Sequence, residues 1–149
     1  MCSSDLLTID LYNGKARFIK SGAADTLLLR DEQLYVIGCR TFPLGALSGV
    51  DVQVIPFSLR AGDCILMMSD GVADVLQDGA PLPLHTTQEE LSPLHTSTAQ
   101  GWLHELLRAP LPTDLSAIQQ LLERILHTAR QHGSVDDMTV ALLRVQGEG

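Results

Sequence analysis

Short alternating runs fill the first half of the chain and one long amphipathic stripe fills its last third, and the two periods predict different elements. Residues 6–12 alternate well enough for a strand, and Asn13-Gly14 after them is the strongest two-residue hairpin signal, returning through residues 16–20. Residues 26–30, a polar Asp31-Glu32-Gln33 and residues 34–37 read as a second hairpin. Phe42-Pro43-Leu44-Gly45 is a turn. Val50, Val52, Val54 and Phe57 belong to a further strand, where Pro56 marks an edge or a bulge. Arg60-Ala61-Gly62-Asp63 turns the chain into residues 64–68, Cys-Ile-Leu-Met-Met, which are apolar on both faces. That run predicts a central strand covered on both sides.

Pro81, Pro83 and Pro93 break any element over residues 77–97, and Pro-Leu-His-Thr recurs there at 83–86 and 93–96 as part of a surface loop. Residues 100–108, with Trp102, Leu103, Leu106 and Leu107, form a short amphipathic helix. Thr113 is placed to cap a longer one, striped by Leu115, Ile118, Leu121, Leu122, Ile125, Leu126 and Ala129. Gly133 stands where a C-terminal cap belongs, and residues 138–145 close the chain as a strand. Antiparallel strands with helices set apart from them make the class α+β.

The length of 149 residues suits one domain with a sizeable core. Net charge is −8, from ten Lys and Arg against eighteen Asp and Glu, and no basic stripe interrupts it. That excludes a nucleic-acid surface, and a phosphate-bearing substrate would need bound cations to approach. No apolar run is long enough to span a bilayer, so no membrane segment is expected. Cys2, Cys39 and Cys64 lack the spacing of a disulfide framework or a zinc ribbon and fit a reducing, cytoplasmic setting.

Two acidic points remain. Asp70 follows the buried strand directly, and Gly71 lets the backbone turn and come close to a ligand. A carboxylate on a rigid strand end suits a hard cation. Residues 71–76 look like the first turns of a helix, which Asp70 could instead merely cap. Asp136 and Asp137 repel each other in the absence of a cation. Each acidic point adjoins an apolar strand that the pattern makes central. If those strands are neighbours, the carboxylates reach one ion.

Met67-Met68-Ser69-Asp70-Gly71-Val72 and Asp136-Asp137-Met138-Thr139-Val140 resemble the two C-terminal motifs of the PPM-type metal-dependent protein serine/threonine phosphatases. Within that group the chain is most similar to the phosphatase domain of stage II sporulation protein E. Ile9-Asp10-Leu11-Tyr12-Asn13-Gly14, Phe18-Ile19-Lys20-Ser21-Gly22, residues 42–47 and Leu59-Arg60-Ala61-Gly62-Asp63 extend the likeness over residues 7–145. The resemblance implies an antiparallel β-sandwich flanked by helices, with two Mn²⁺ or Mg²⁺ ions at one end. Asp70 and Asp136 match ligands of one ion; Gly71 and Asp137 match positions just behind the ligands. It further implies in-line hydrolysis of phosphoserine without a covalent enzyme intermediate. The implied partner is a phosphorylated anti-anti-sigma protein in sporulation.

The family's Asp-Gly-Met-Gly type motif, which supplies the carboxylate bridging the metals, has no counterpart in this sequence. Residues 1–149 therefore read as the C-terminal portion of a single phosphatase domain whose N-terminal half, and any membrane anchor upstream, lie elsewhere. Catalysis by the isolated chain is not expected. Apolar strands such as residues 65–68 or their neighbours would be left exposed, and self-association would follow. Two other readings stand beside this one: a non-catalytic, phosphatase-like interaction module, and a stress-response sigma-regulator phosphatase of the same fold.

Overall fold

A computed structural model describes residues 4–38, 41, 52–75, 101–108 and 110–147. The strands are β1 (Ser4–Ile9), β2 (Lys15–Ser21), β3 (Thr26–Arg30), β4 (Gln33–Ile37), β5 (Gln53–Ser58), β6 (Cys64–Met68) and β7 (Val140–Arg144). The helices are α1 (Asp70–Ala73), α2 (Gly101–Arg108) and α3 (Leu115–Gln131). Strands form two antiparallel sheets, ordered β1-β2-β5 and β4-β3-β6-β7. The expected α+β class and strand pairing are what is found. The turn at 42–45 and the loop at 77–97 lie outside the described residues.

Alternation along the strands builds three layers. Phe18 and Ile55 from one sheet meet Leu28, Ile37 and Ile65 from the other, with Phe18 and Phe57 stacked at 5.0 Å. The opposite face of the four-stranded sheet, through Leu27, Val36, Leu66 and Met68, packs on Leu103 and Leu107 of α2 and Leu121, Ile125 and Ala129 of α3. β6 is therefore buried from both sides, as its unbroken apolar run predicts. Exposure of residues 65–68 does not occur: Ile65 is 0% exposed. Among their neighbours Leu143 of β7, paired with Ile65, is exposed, and apolar exposure also falls on Leu6 of β1 and Val54 of β5, which flank Ile19 in one cross-strand row.

Several boundaries differ from the pattern. The first hairpin turns through Asp10, whose carboxylate accepts from the Tyr12 N–H and the Asn13 amide, so Asn13-Gly14 is only the end of a longer turn. The second turns tightly on Asp31 and Glu32, both at positive φ. The cap of α3 is Asp114, not Thr113: its carboxylate accepts from the Ala117 N–H at 2.9 Å. Leu115 lies in the first turn and is 80% exposed. Asp114→Ala should cost about 1 kcal/mol in urea unfolding and Thr113→Ala much less; equal midpoints for both would refute the assignment.

Two stretches that carry the family resemblance serve burial. Lys20 is 0% exposed, and its ammonium donates to Asp5 Oδ2 (2.7 Å), the Ala24 carbonyl (2.8 Å) and Thr26 Oγ1 (2.9 Å). A buried lysine needs such partners. Asp63, equally inaccessible, accepts from both Nε and Nη2 of Arg30, at 2.8 and 2.7 Å, and from the Arg60 N–H. That hydrogen-bonded carboxylate pushes the Arg30 guanidinium above its ordinary range. The pair pins the turn that launches β6.

Candidate metal centre

β6 and β7 are hydrogen-bonded neighbours, with Met68 opposite Val140. Chain direction then decides the rest. β6 runs out through Ser69 into Asp70, and β7 is entered from Asp136 and Asp137, so both acidic points leave the same end of one strand pair. β7 itself corrects one expectation. Among the described strands it is an edge, with alternating burial, and of the two strands that lead to the acids β6 alone is interior.

Beyond the ladder the two segments are tied side to side. The Ser69 N–H donates to the Thr139 carbonyl at 2.9 Å, and the Thr139 N–H donates back to Ser69 Oγ at 2.9 Å. Ser69 Oγ donates in turn to the Asp137 carbonyl (3.3 Å), and Ser134 Oγ to the Gly71 carbonyl (2.6 Å). A Cβ added to Gly71 would sit 2.3 Å from the Asp137 carbonyl oxygen. Gly71 is helical, so what it supplies is space for that oxygen and not a special turn. Asp137 takes part through its backbone.

Asp70 opens α1, a single turn shorter than the run to residue 76 expected from sequence. Its Oδ1 accepts from the following Gly71 N–H at 3.0 Å; Ser69, which makes no side-chain cap bond, is the N-cap. Asp136 repeats the arrangement, with Oδ1 accepting from the Asp137 N–H at 2.8 Å. Both side chains are exposed, and the second oxygen of each makes no hydrogen bond among the described residues. Oxygen donors of this kind suit Mn²⁺ or Mg²⁺. They fit in kind but are few: among the described residues no group of three His, Cys, Asp or Glu comes together.

Sequence reasoning passed over Ser69 and Ser134, whose hydroxyls do the lacing. Ser69 belongs to the strand-end motif that carries Asp70 and Gly71; Ser134 bears no local sequence signal. Cys64, buried at the start of β6, has its thiol pushed up by burial and takes no part.

The model of the family described as stage II sporulation protein E (SpoIIE) matches residues 1–146. Stage II sporulation protein E of Bacillus subtilis (strain 168) is 27% identical over 141 residues, covering 95% of this chain but 15% of its own length. The manganese-presoaked phosphatase domain of the Bacillus subtilis cell fate determinant SpoIIE superposes with a TM-score of 0.65 at 23% identity. That match covers 99% of this chain and 58% of the solved one. The catalytic domain of the serine/threonine protein phosphatase PstP in complex with two manganese ions gives 0.63 at 19% identity, over 97% of this chain and 60% of that one. This chain thus spans little more than half of the solved phosphatase domains. Among the described residues no helix is long and apolar enough to cross a membrane.

Proposed function

Since the chain belongs to the stage II sporulation protein E family, we propose that it forms the C-terminal portion of a PPM-type protein serine/threonine phosphatase domain. In this reading Asp70 and Asp136 hold one cation of a two-metal Mn²⁺ or Mg²⁺ site. The observation that carries it is the lacing of the segments around Ser69–Gly71 and Ser134–Thr139, which fixes two exposed carboxylates at one end of a rigid strand pair. The remaining ligands come from the part of the domain that these residues do not span.

The cations supply neutralisation of phosphoryl charge and activation of water. What the chain's own groups do is simpler. Asp70 and Asp136 each use one oxygen on the adjacent N–H, which sets the carboxylate plane, and offer the other outward. The Asp137 backbone and Gly71 hold the two segments close. Ser69 fixes their register through both its backbone and its hydroxyl.

The substrate is phosphoserine on a protein, and in this family's setting an anti-anti-sigma factor of sporulation met in the cytoplasm. A phosphatase-like interaction module is the second reading, favoured by the shortage of ligands among the described residues. The test is phosphate release from a phosphoserine peptide by the protein at the length its cell makes. We expect release with millimolar Mn²⁺, loss with EDTA and recovery on adding Mn²⁺ back. Release that ignores EDTA would sink the metal assignment. Binding of the phosphoprotein without release would favour the interaction module.

A further inference from the structure

Trp102, the only tryptophan of the chain, touches both segments that carry the acids, although it lies on neither. Its indole Nε1 donates to the Val75 carbonyl at 3.1 Å, just past the single turn that Asp70 opens. Its ring stacks on His132, with centroids 5.6 Å apart and planes 14° from parallel. His132 is the C-cap of α3 and begins the loop that descends through Ser134 to Asp136. Leu103 and Leu107, on the same short helix, are buried against the four-stranded sheet and fix where α2 sits.

At their far ends each segment is held by its own backbone, Val75 N–H to the Val72 carbonyl and His132 N–H to the Thr128 carbonyl, and Trp102 joins one to the other. Ser69, Gly71 and Ser134 tie their near ends. Val75 is half-buried and His132 exposed, so neither is held by core packing alone. An indole that hydrogen-bonds one and stacks on the other closes the frame on its open side. Both contacts are directional: the donor needs the carbonyl in line, and the stack needs the rings nearly parallel.

We infer that Trp102 is a positioning residue for the metal site, bracketing α1 and the loop after α3 so that Asp70 and Asp136 are held at one separation. The inference rests on the proposed role of those two acids. Groups one step behind metal ligands commonly tune affinity about 10- to 100-fold. Trp102 stands a step further back, and a several-fold effect is expected.

Mn²⁺ is titrated into the protein at the length its cell makes, and the free ion, followed by its paramagnetic resonance, gives the affinity. Trp102→Phe keeps a ring for His132 but loses the donor to Val75, and should weaken Mn²⁺ binding several-fold. His132→Ala, at an exposed position where folding is not at risk, should weaken it similarly, and His132→Phe should restore most of the loss. A purely structural role would lower the melting temperature and leave Mn²⁺ affinity unmoved well below it. Wild-type binding that both variants retain in full would overturn the bracket and leave the acids as ligands. Absence of Mn²⁺ binding by the folded wild-type protein at the length its cell makes, up to tens of millimolar, would overturn the ligand assignment and the bracket with it.

Discussion

Asp70→Asn is expected to lower Mn²⁺-dependent hydrolysis of a phosphoserine peptide at least about a hundredfold while leaving the fold as stable as before. The two halves of that expectation have separate causes. The Asp70 side chain is exposed, and its one hydrogen bond among the described residues, from the Gly71 N–H, can be accepted equally well by an asparagine carbonyl. Stability should therefore change by no more than about 0.5 kcal/mol. The charge cannot be replaced in this way. A neutral amide is a poor partner for a divalent ion, and without the ion a phosphate dianion meets a chain of net charge −8. Asp136→Asn should act alike, and the double variant should be little worse than either single one, because both acids are assigned to one ion. Values of kcat/KM across a Mn²⁺ series decide it. A variant that reaches the wild-type rate once Mn²⁺ is raised has lost affinity alone; a variant that never needed the change would remove Asp70 from the site.

How far the sequence carried this picture depends on the range of the forces involved. β6 was legible because burial on both faces leaves an unbroken apolar run, and the structure puts a sheet on one side of it and helices on the other. Asp70 and Asp136 were legible as a pair because strand ends fall next to their turns in sequence. The status of β7 was not, since an edge and a centre differ only in what lies beside them. Leu115 belongs to the same heptad stripe as Leu122, yet in the first turn of α3 it is left 80% exposed. Burial of Lys20 and Asp63 has no local signal, because only the fold brings Asp5 and Arg30 to them across 15 and 33 residues. Trp102 looked like core on an amphipathic helix; its N–H bond to Val75 spans a stretch in which no local pattern exists to be read.

Gly71 shows the same limit at the site itself, and it carries the second large effect. Asp-Gly invites a reading in terms of backbone freedom, but Gly71 is helical, and its φ is not in the left-handed region. The constraint is contact: a methyl there would stand 2.3 Å from the Asp137 carbonyl oxygen, 3.1 Å from its carbon and 3.3 Å from Met138 Cγ. Met138 could swing aside, whereas the carbonyl belongs to a backbone already bonded by Ser69 Oγ. Gly71→Ala must therefore push the 136–138 segment outward by nearly an ångström. We expect a loss of about 2–3 kcal/mol in urea unfolding, in the range of overpacked sites. Mn²⁺ affinity should fall further than the stability loss explains, since Asp136 rides on the displaced segment. Ser134→Ala, which removes only the hydroxyl bond to the Gly71 carbonyl, supplies the comparison: a loss nearer 1 kcal/mol and a smaller fall in affinity. If Gly71→Ala left both the unfolding midpoint and Mn²⁺ binding at wild-type values, the close approach of these two segments would not be what holds the acids together.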